Sequence, residues 1–526
     1  MSSVAGRLSD RWLLGVRRQA KDLARLPSLT AGDVVAGLSV ALVLIPQSLA
    51  YADLANLPPG VGLFAGAFPL LIFAVFASSP YLQTGPVALT SLLVAGALAG
   101  AGFEEGTAEQ VGAAAILALI VGAIRLFLGI GRLGAIVYSM AEPVTIGFTS
   151  GAGVVILSSQ LPKALGVVLP EDVAARANPI ARALWAVTHP SAWLVSALII
   201  SAVALVLMLQ GRKIHRLFPG VLIAVLFALI FARVTGRGGQ AIPEIESGLP
   251  VWSLDLPFEN IGSLLVGGIV IALVGFAEPA SIARMFSNEE QSSWSSSREF
   301  FASGLANLVA SVTGAYPVGG SFGRSSVNRF AGATTRLSGA VTGLLMIAFL
   351  PFAGVLDGLP EAVLGAIIVG AVFKLVKPRK LLRLWTRSPW QAGLAWLTFI
   401  ATILTPPNIH FAVIIGIAAT VILHFIRPFH LDVERVGEQL QIRPRGLLWI
   451  ITTTRFKKAL SAAVEADDGT GDVVVSLDRS TAIDSAIADA VAGGAATALR
   501  AGRGFRVENV PDGAQPILEN YDLTVV

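Results

Sequence analysis

Chemistry in this chain has one obvious seat, the arginine of Tyr316-Pro317-Val318-Gly319-Gly320-Ser321-Phe322-Gly323-Arg324-Ser325, set in a strongly apolar region. An arginine at mid-bilayer depth costs at least about 2.5 kcal/mol, so Arg324 needs a partner, water or a task. Its neighbours suggest the task. Glycines free the backbone, and a helix starting after them presents unpaired N–H groups whose positive end attracts an anion. A second stretch, Tyr81-Leu82-Gln83-Thr84-Gly85-Pro86-Val87-Ala88-Leu89-Thr90-Ser91, has the same character. Backbone without a helix is tolerated at membrane depth only where it lines a cavity. The two stretches therefore predict a small-anion site, with Gly85, Val87 and Ala88 on one side and Ser321, Phe322, Gly323 and Arg324 on the other. Phe322 reads equally well as core filler. For Arg324 the plainer reading is a side chain that snorkels to the inner surface, which is how Arg329 is read.

Glu278 is the second group. Carboxylates held away from water can exchange protons near neutral pH, which makes Glu278 a candidate for proton coupling or direct substrate contact. A structural salt bridge, with Arg324 as a candidate partner, is the alternative. Glu142, in Ala141-Glu142-Pro143-Val144, is a weaker competitor near a helix break towards the inner side. Gln47 offers an amide donor and Tyr51 lies one turn later on the same helix face, so both would line the cavity. Other chemistries are missing their parts. Cysteine is absent and the five histidines are scattered, so no thiolate chemistry, metal site or cofactor is expected, and the chain does not read as an enzyme.

The elements that must position these groups are apolar helices. Of 526 residues 54% are hydrophobic and only 14% charged, with a mean hydropathy of +0.73. Soluble proteins carry about 25% charged residues, so this chain is built for lipid. Runs of about 20 apolar residues suit a bilayer. They fall at 31–56, 60–77, 84–102, 109–130, 133–163, 190–210 and 218–235, then at 262–288, 295–314, 321–333, 335–356, 359–376, 389–405 and 409–427. Loops containing Arg212, Lys213 and Arg216, or Lys377 through Arg387, are basic, whereas those with Glu104 and Glu105 or with Asp357 and Glu361 are acidic. That alternation predicts fourteen spans with both termini inside. It also accounts for the net charge of +4 without invoking nucleic acid.

The two sets of seven correspond. Pro46-Gln47 interrupts the first span of one set and Glu278-Pro279 that of the other, while Gly85 and Gly320 break the third spans at nearly the same offset. An odd number of spans per repeat makes the second repeat inverted, and interrupted helices in matching positions point to a transporter's central site. Residues 1–30, with Arg7, Arg11, Arg17, Arg18, Lys21 and Arg25, read as a cytoplasmic amphipathic leader. Residues 31–428 form the transport domain. Beyond 429 the pattern changes to a small cytoplasmic α/β domain, with strands at Leu447–Ile451 and Val473–Leu477 and helices at Phe456–Glu465 and Ala486–Ala501.

Several motifs resemble one family. Leu44-Ile45-Pro46-Gln47-Ser48-Leu49-Ala50-Tyr51-Ala52, then Leu57-Pro58-Pro59 and Gly62-Leu63, are similar to the signature of the SulP (sulfate permease) anion transporters. Thr84 to Ala88 and Gly319 to Arg324 fit the same family, and Leu477-Asp478-Arg479-Ser480-Thr481-Ala482-Ile483-Asp484-Ser485 resembles the core of a STAS domain. The resemblance implies a core domain of spans 1–4 and 8–11, a gate domain of spans 5–7 and 12–14, and transport by an elevator-like movement of one against the other. Asp484-Ser485 matches the site at which stand-alone STAS domains are phosphorylated. Ala486 and Ile487 replace the usual Thr-Gly after it, which favours a structural or dimerising role over a switch at Ser485.

The expectation is a homodimeric secondary anion transporter of the plasma (inner) membrane. A single carboxylate and no acidic, hydroxyl-rich sodium cage incline it to proton symport of a C4-dicarboxylate such as fumarate or succinate, with sulfate or bicarbonate transport or exchange as alternatives. A nucleobase-type transporter, with Glu278 holding a neutral base, and a membrane-anchored STAS signalling scaffold remain as rivals.

Overall fold

Helices take up each of the fourteen apolar runs. A computed structural model describes residues 27–134, 142–174, 178–250, 252, 256, 258–290, 294–387, 389–426, 430–445, 450–477, 485–510 and 524–525. Its apolar helices are α1 (Ala31–Leu54), α2 (Pro59–Phe76), α3 (Ala88–Gly100), α4 (Ala108–Ile130), α5 (Glu142–Leu165), α6 (Val195–Ile214) and α7 (Gly220–Thr235). There follow α8 (Ile261–Glu289), α9 (Ser296–Val312), the short α10 (Phe322–Phe330), α11 (Leu337–Phe349) and α12 (Glu361–Val372). The basic helix α13 (Pro378–Arg387) precedes α14 (Pro389–Leu404) and α15 (His410–Ile426). Among the described residues six helices are long and apolar enough to cross a membrane, and five more are apolar but shorter. Of the leader, residues 1–30, the first 26 lie outside the described residues.

The chain divides into two compact units. The first comprises Met1–Ala135, Gly151–Val376 and Thr402–His410. Its helices start at defined caps: Thr30 and Asp33 form a capping box on α1, and Thr107 caps α4. Asp33 also reaches across to the segment before α11, accepting the N–H groups of Thr334 at 2.9 Å and Thr335 at 2.8 Å. Large apolar side chains face outward along these helices, among them Val206, Ile230 and Leu344. Such a continuous apolar exterior suits lipid and not water.

The second unit comprises Ile136–Ser150, Lys377–Ala401 and Phe411–Val526. In it a five-stranded sheet runs in sequence order, β3 (His430–Val436), β4 (Gln439–Arg445), β5 (Val473–Ser476), β6 (Phe505–Glu508) and β7 (Thr524–Val525). The first pair is an antiparallel hairpin turned at Gly437 (φ 64), and the remaining pairs are parallel. Helices α16 (Ile450–Glu465) and α17 (Ser485–Arg500) supply Phe456, Leu460, Val464 and Val491 to the core beneath it. Of the expected strand at Leu447–Ile451, residues 447–449 lie outside the described residues, and Ile450 and Ile451 open a helix instead. A short apolar run has no period of its own, and Phe456, Leu460 and Val464 at four-residue spacing impose the helical one. The sequence reading missed β3 because an exposed, charged edge strand lacks alternation.

Candidate functional site

The two glycine breaks meet. Thr84–Gly85 (β1) pairs antiparallel with Gly319–Gly320 (β2), Thr84 opposite Gly320 and Gly85 opposite Gly319. Two more bonds extend the crossing, from Ser321 N to the Gln83 carbonyl and from Gln83 N to Ser325 Oγ, both 3.0 Å. Glycine is required where the strands cross. Gly85 has φ +140, and a Cβ on Gly320 would lie 2.9 Å from Leu82 Cδ1 and 3.0 Å from Pro279 Cβ. A helix leaves each strand. At the start of α3 the flanking residue is Val87, which makes no side-chain cap, whereas the Ser321 hydroxyl caps α10 by accepting from Arg324 N. The site thus gathers two helix N-termini, one of them without a side-chain cap.

Arg324 stands between them and is wholly buried. Its Nη1 donates to the Pro86 carbonyl at 2.9 Å and to Gln47 Oε1 at 3.4 Å. Nε and Nη2 have no hydrogen-bond partner among the described residues. Tyr51, Tyr316 and Glu278 are near enough to interact with it electrostatically, and the Tyr316 hydroxyl shares a 3.1 Å hydrogen bond with Ser91 Oγ. A Cβ on Gly85 would sit 3.4 Å from Nη2, in ordinary contact with the guanidinium, so the backbone angle and not crowding calls for glycine there.

The other predicted residues are placed around this centre. Tyr51, Val87 and Ala88 are buried, and Gln47, Glu278 and Ser321 are half-buried. Phe322 and Gly323 open α10 on its exposed side, so Phe322 does not fill the core. Arg329 is engaged elsewhere, pairing with Glu289 and with Glu290 and lying over the rings of Tyr81 and Phe286. Glu142 is the first residue of α5, and Ser485 the first of α17. The STAS-like motif before Ser485, residues 478–484, lies outside the described residues.

Two residues that the sequence reading passed over hold the crossing in place. Asn307 on α9 accepts from Val318 N at 2.9 Å and donates to the Val318 carbonyl at 3.3 Å. Arg125 on α4, wholly buried, donates to that same carbonyl at 2.9 Å, to the carbonyls of Ile271 and Ala272 at 3.1 Å each, and to Ser303 Oγ at 3.0 Å. Val318 immediately precedes β2, so both side chains fix where that strand begins. An arginine and an asparagine inside the apolar runs 109–130 and 295–314 were the available signal.

The family model described as the sulfate permease family matches residues 30–398. This chain belongs to the sulfate permease family. A probable sulfate transporter of Mycobacterium tuberculosis is 34% identical to this chain over 376 residues, which cover 69% of this chain and 65% of that one. The chain spans 58–65% of the length of the curated relatives it matches. Its fold is similar to that of the murine solute carrier 26 member A9 anion transporter in the inward-facing state, with a TM-score of 0.69 at 18% identity over 94% of this chain and 88% of the other. It is also similar to the transmembrane domain of a cyanobacterium bicarbonate transporter, with a TM-score of 0.61 at 20% identity over 74% and 97%.

Proposed function

We propose that this protein is a secondary transporter that carries a small anion through the bilayer at the crossing of β1 and β2. The carrying observation is Arg324, a wholly buried guanidinium with two unpartnered donors between two helix N-termini. A buried guanidinium whose donors are unmet carries a desolvation cost, and an anion is the group that would satisfy them. The planar fork of arginine suits oxygen anions in particular. Gln47, Tyr51, Gly85, Val87, Ala88 and the start of α10 from Ser321 to Gly323 would complete the lining.

An inorganic oxyanion is preferred over the C4-dicarboxylate of the initial expectation. Similar proteins are named as sulfate and bicarbonate transporters, and no observation favours fumarate or succinate. Glu278, half-buried and electrostatically linked to Arg324 and Tyr51, is our candidate proton carrier. The antiparallel pairing of corresponding breaks supports an inverted repeat with core and gate movement. By the same reading the protein is a homodimer in the inner membrane with cytoplasmic termini, and the β3–β7 sheet with α16 and α17 is a STAS-like domain.

Uptake of labelled sulfate, bicarbonate and succinate by the purified chain in liposomes, with and without an inward proton gradient, tests the reading. Sulfate uptake stimulated by the gradient is expected. Absence of uptake for every anion would overturn the transport proposal, and succinate uptake exceeding sulfate would reinstate the dicarboxylate.

A further inference from the structure

Helix α13, Pro-Arg-Lys-Leu-Leu-Arg-Leu-Trp-Thr-Arg over Pro378–Arg387, has three distinct sides. Leu381 and Leu384 are buried against Ile146, Ala392 and Ala395. Leu382 and Trp385 are exposed, at 60% and 52%. Arg379, Lys380 and Arg383 are also exposed. At the helical step of about 100° per residue, the three cations fill an arc roughly 100° wide, centred roughly 140° from the exposed leucine and tryptophan. Water does not account for this pattern. Exposed apolar side chains beside a buried anchor, with cations on the far side, describe a helix lying in a membrane interface. The surroundings agree, because α14 follows directly with Trp390 exposed at its start and Leu397, Ile400 and Leu404 exposed along it. Tryptophans gather where one end of a ring is apolar and the other wet.

We propose that α13 is a binding surface for anionic phospholipid headgroups. Leu382 and Trp385 enter the hydrocarbon edge, while Arg379, Lys380 and Arg383 hold phosphate or phosphatidylglycerol-type headgroups above it. Positive-inside sorting explains why cations occur in this loop, but not why they are gathered on one arc of a helix whose other two sides are a buried anchor and an exposed apolar pair. The proposal rests on the membrane reading given above. Attraction of about 1 kcal/mol per cation near an anionic leaflet corresponds to roughly a fivefold local enrichment for each.

The chain has no cysteine, so single-cysteine nitroxide labels report cleanly. The full chain carrying Leu382→Cys, Lys380→Cys or, as a control on α6, Val206→Cys is reconstituted in phosphatidylcholine vesicles containing 30% phosphatidylglycerol. Expected is a Leu382 label relaxed by oxygen, a Lys380 label relaxed by a water-soluble nickel chelate, and a Val206 label in hydrocarbon. Spin-labelled phosphatidylglycerol should be enriched around the protein over phosphatidylcholine. That enrichment should fall at least fivefold in Arg379→Gln/Lys380→Gln. An aqueous Val206 label defeats the membrane reading itself. With Val206 in lipid, an aqueous Leu382 label defeats only the α13 proposal. A Leu382 label shielded from both relaxants places a protein partner there instead, and unchanged lipid selectivity in the double variant also overturns the proposal.

Discussion

Replacing Arg324 by alanine separates a binding role from a structural one, because the two roles push stability and affinity in different directions. In the wild type Nε and Nη2 lack partners, and Nη1 bonds to Pro86 and Gln47. A bound oxyanion would satisfy both free donors with charge-assisted bonds worth about 1.5–3 kcal/mol each. Their loss predicts about 3–6 kcal/mol, or roughly 10² to 10⁴-fold weaker anion binding. Folding should behave differently. The variant gives up the 2.9 Å bond to the Pro86 carbonyl, but it also removes a buried charge whose desolvation costs several kcal/mol. The anion-free protein should therefore melt no lower than the wild type. Arg324→Lys keeps the charge without the planar fork, so its affinity should fall between the two. Calorimetric or fluorescence titration with sulfate in detergent, beside a melting curve of each variant, measures both quantities. A lower melting temperature combined with unchanged sulfate affinity would refute the argument, because Arg324 would then be a structural brace.

Three further changes probe the surroundings. Gly85→Ala places a Cβ at φ +140 and 3.4 Å from the guanidinium. About 1–3 kcal/mol of backbone strain is expected, read as a lower melting temperature together with weaker sulfate binding. Asn307→Leu leaves the buried N–H of Val318 without its 2.9 Å acceptor, a loss of about 1–3 kcal/mol in stability. Unaltered melting and affinity would show that Arg125 alone sets the strand. Glu278→Gln removes the proposed proton carrier, so stimulation of uptake by an inward proton gradient should vanish while exchange of sulfate for sulfate continues. Gradient stimulation that persists in liposomes would transfer the coupling role to another residue.

What the sequence determined by itself was local. Runs of apolar residues and the two glycine stretches dictate where helices form and where they stop, since a missing Cβ acts on its own turn of chain, whereas the interruptions expected at Pro46 and Pro279 do not occur, because α1 and α8 continue past both prolines. The loop charges and the repeated breaks were legible for the same reason. A charge inside an apolar run singled out Arg324, although nothing local says whether such an arginine turns inward or to the surface. Only the tertiary structure decided that. It brings Gly85 opposite Gly319 across more than two hundred residues, buries Arg324 between Gln47 and Pro86, turns Phe322 outward, and directs Arg329 to Glu289 and Glu290. The braces on Val318 belong to the same class. Arg125 and Asn307 are single polar residues in apolar helices, and their partners are backbone atoms supplied by distant segments. Backbone hydrogen-bonding groups are alike at every position, so a sequence can mark a side chain that needs a partner, but only the folded chain says which carbonyl or N–H it receives.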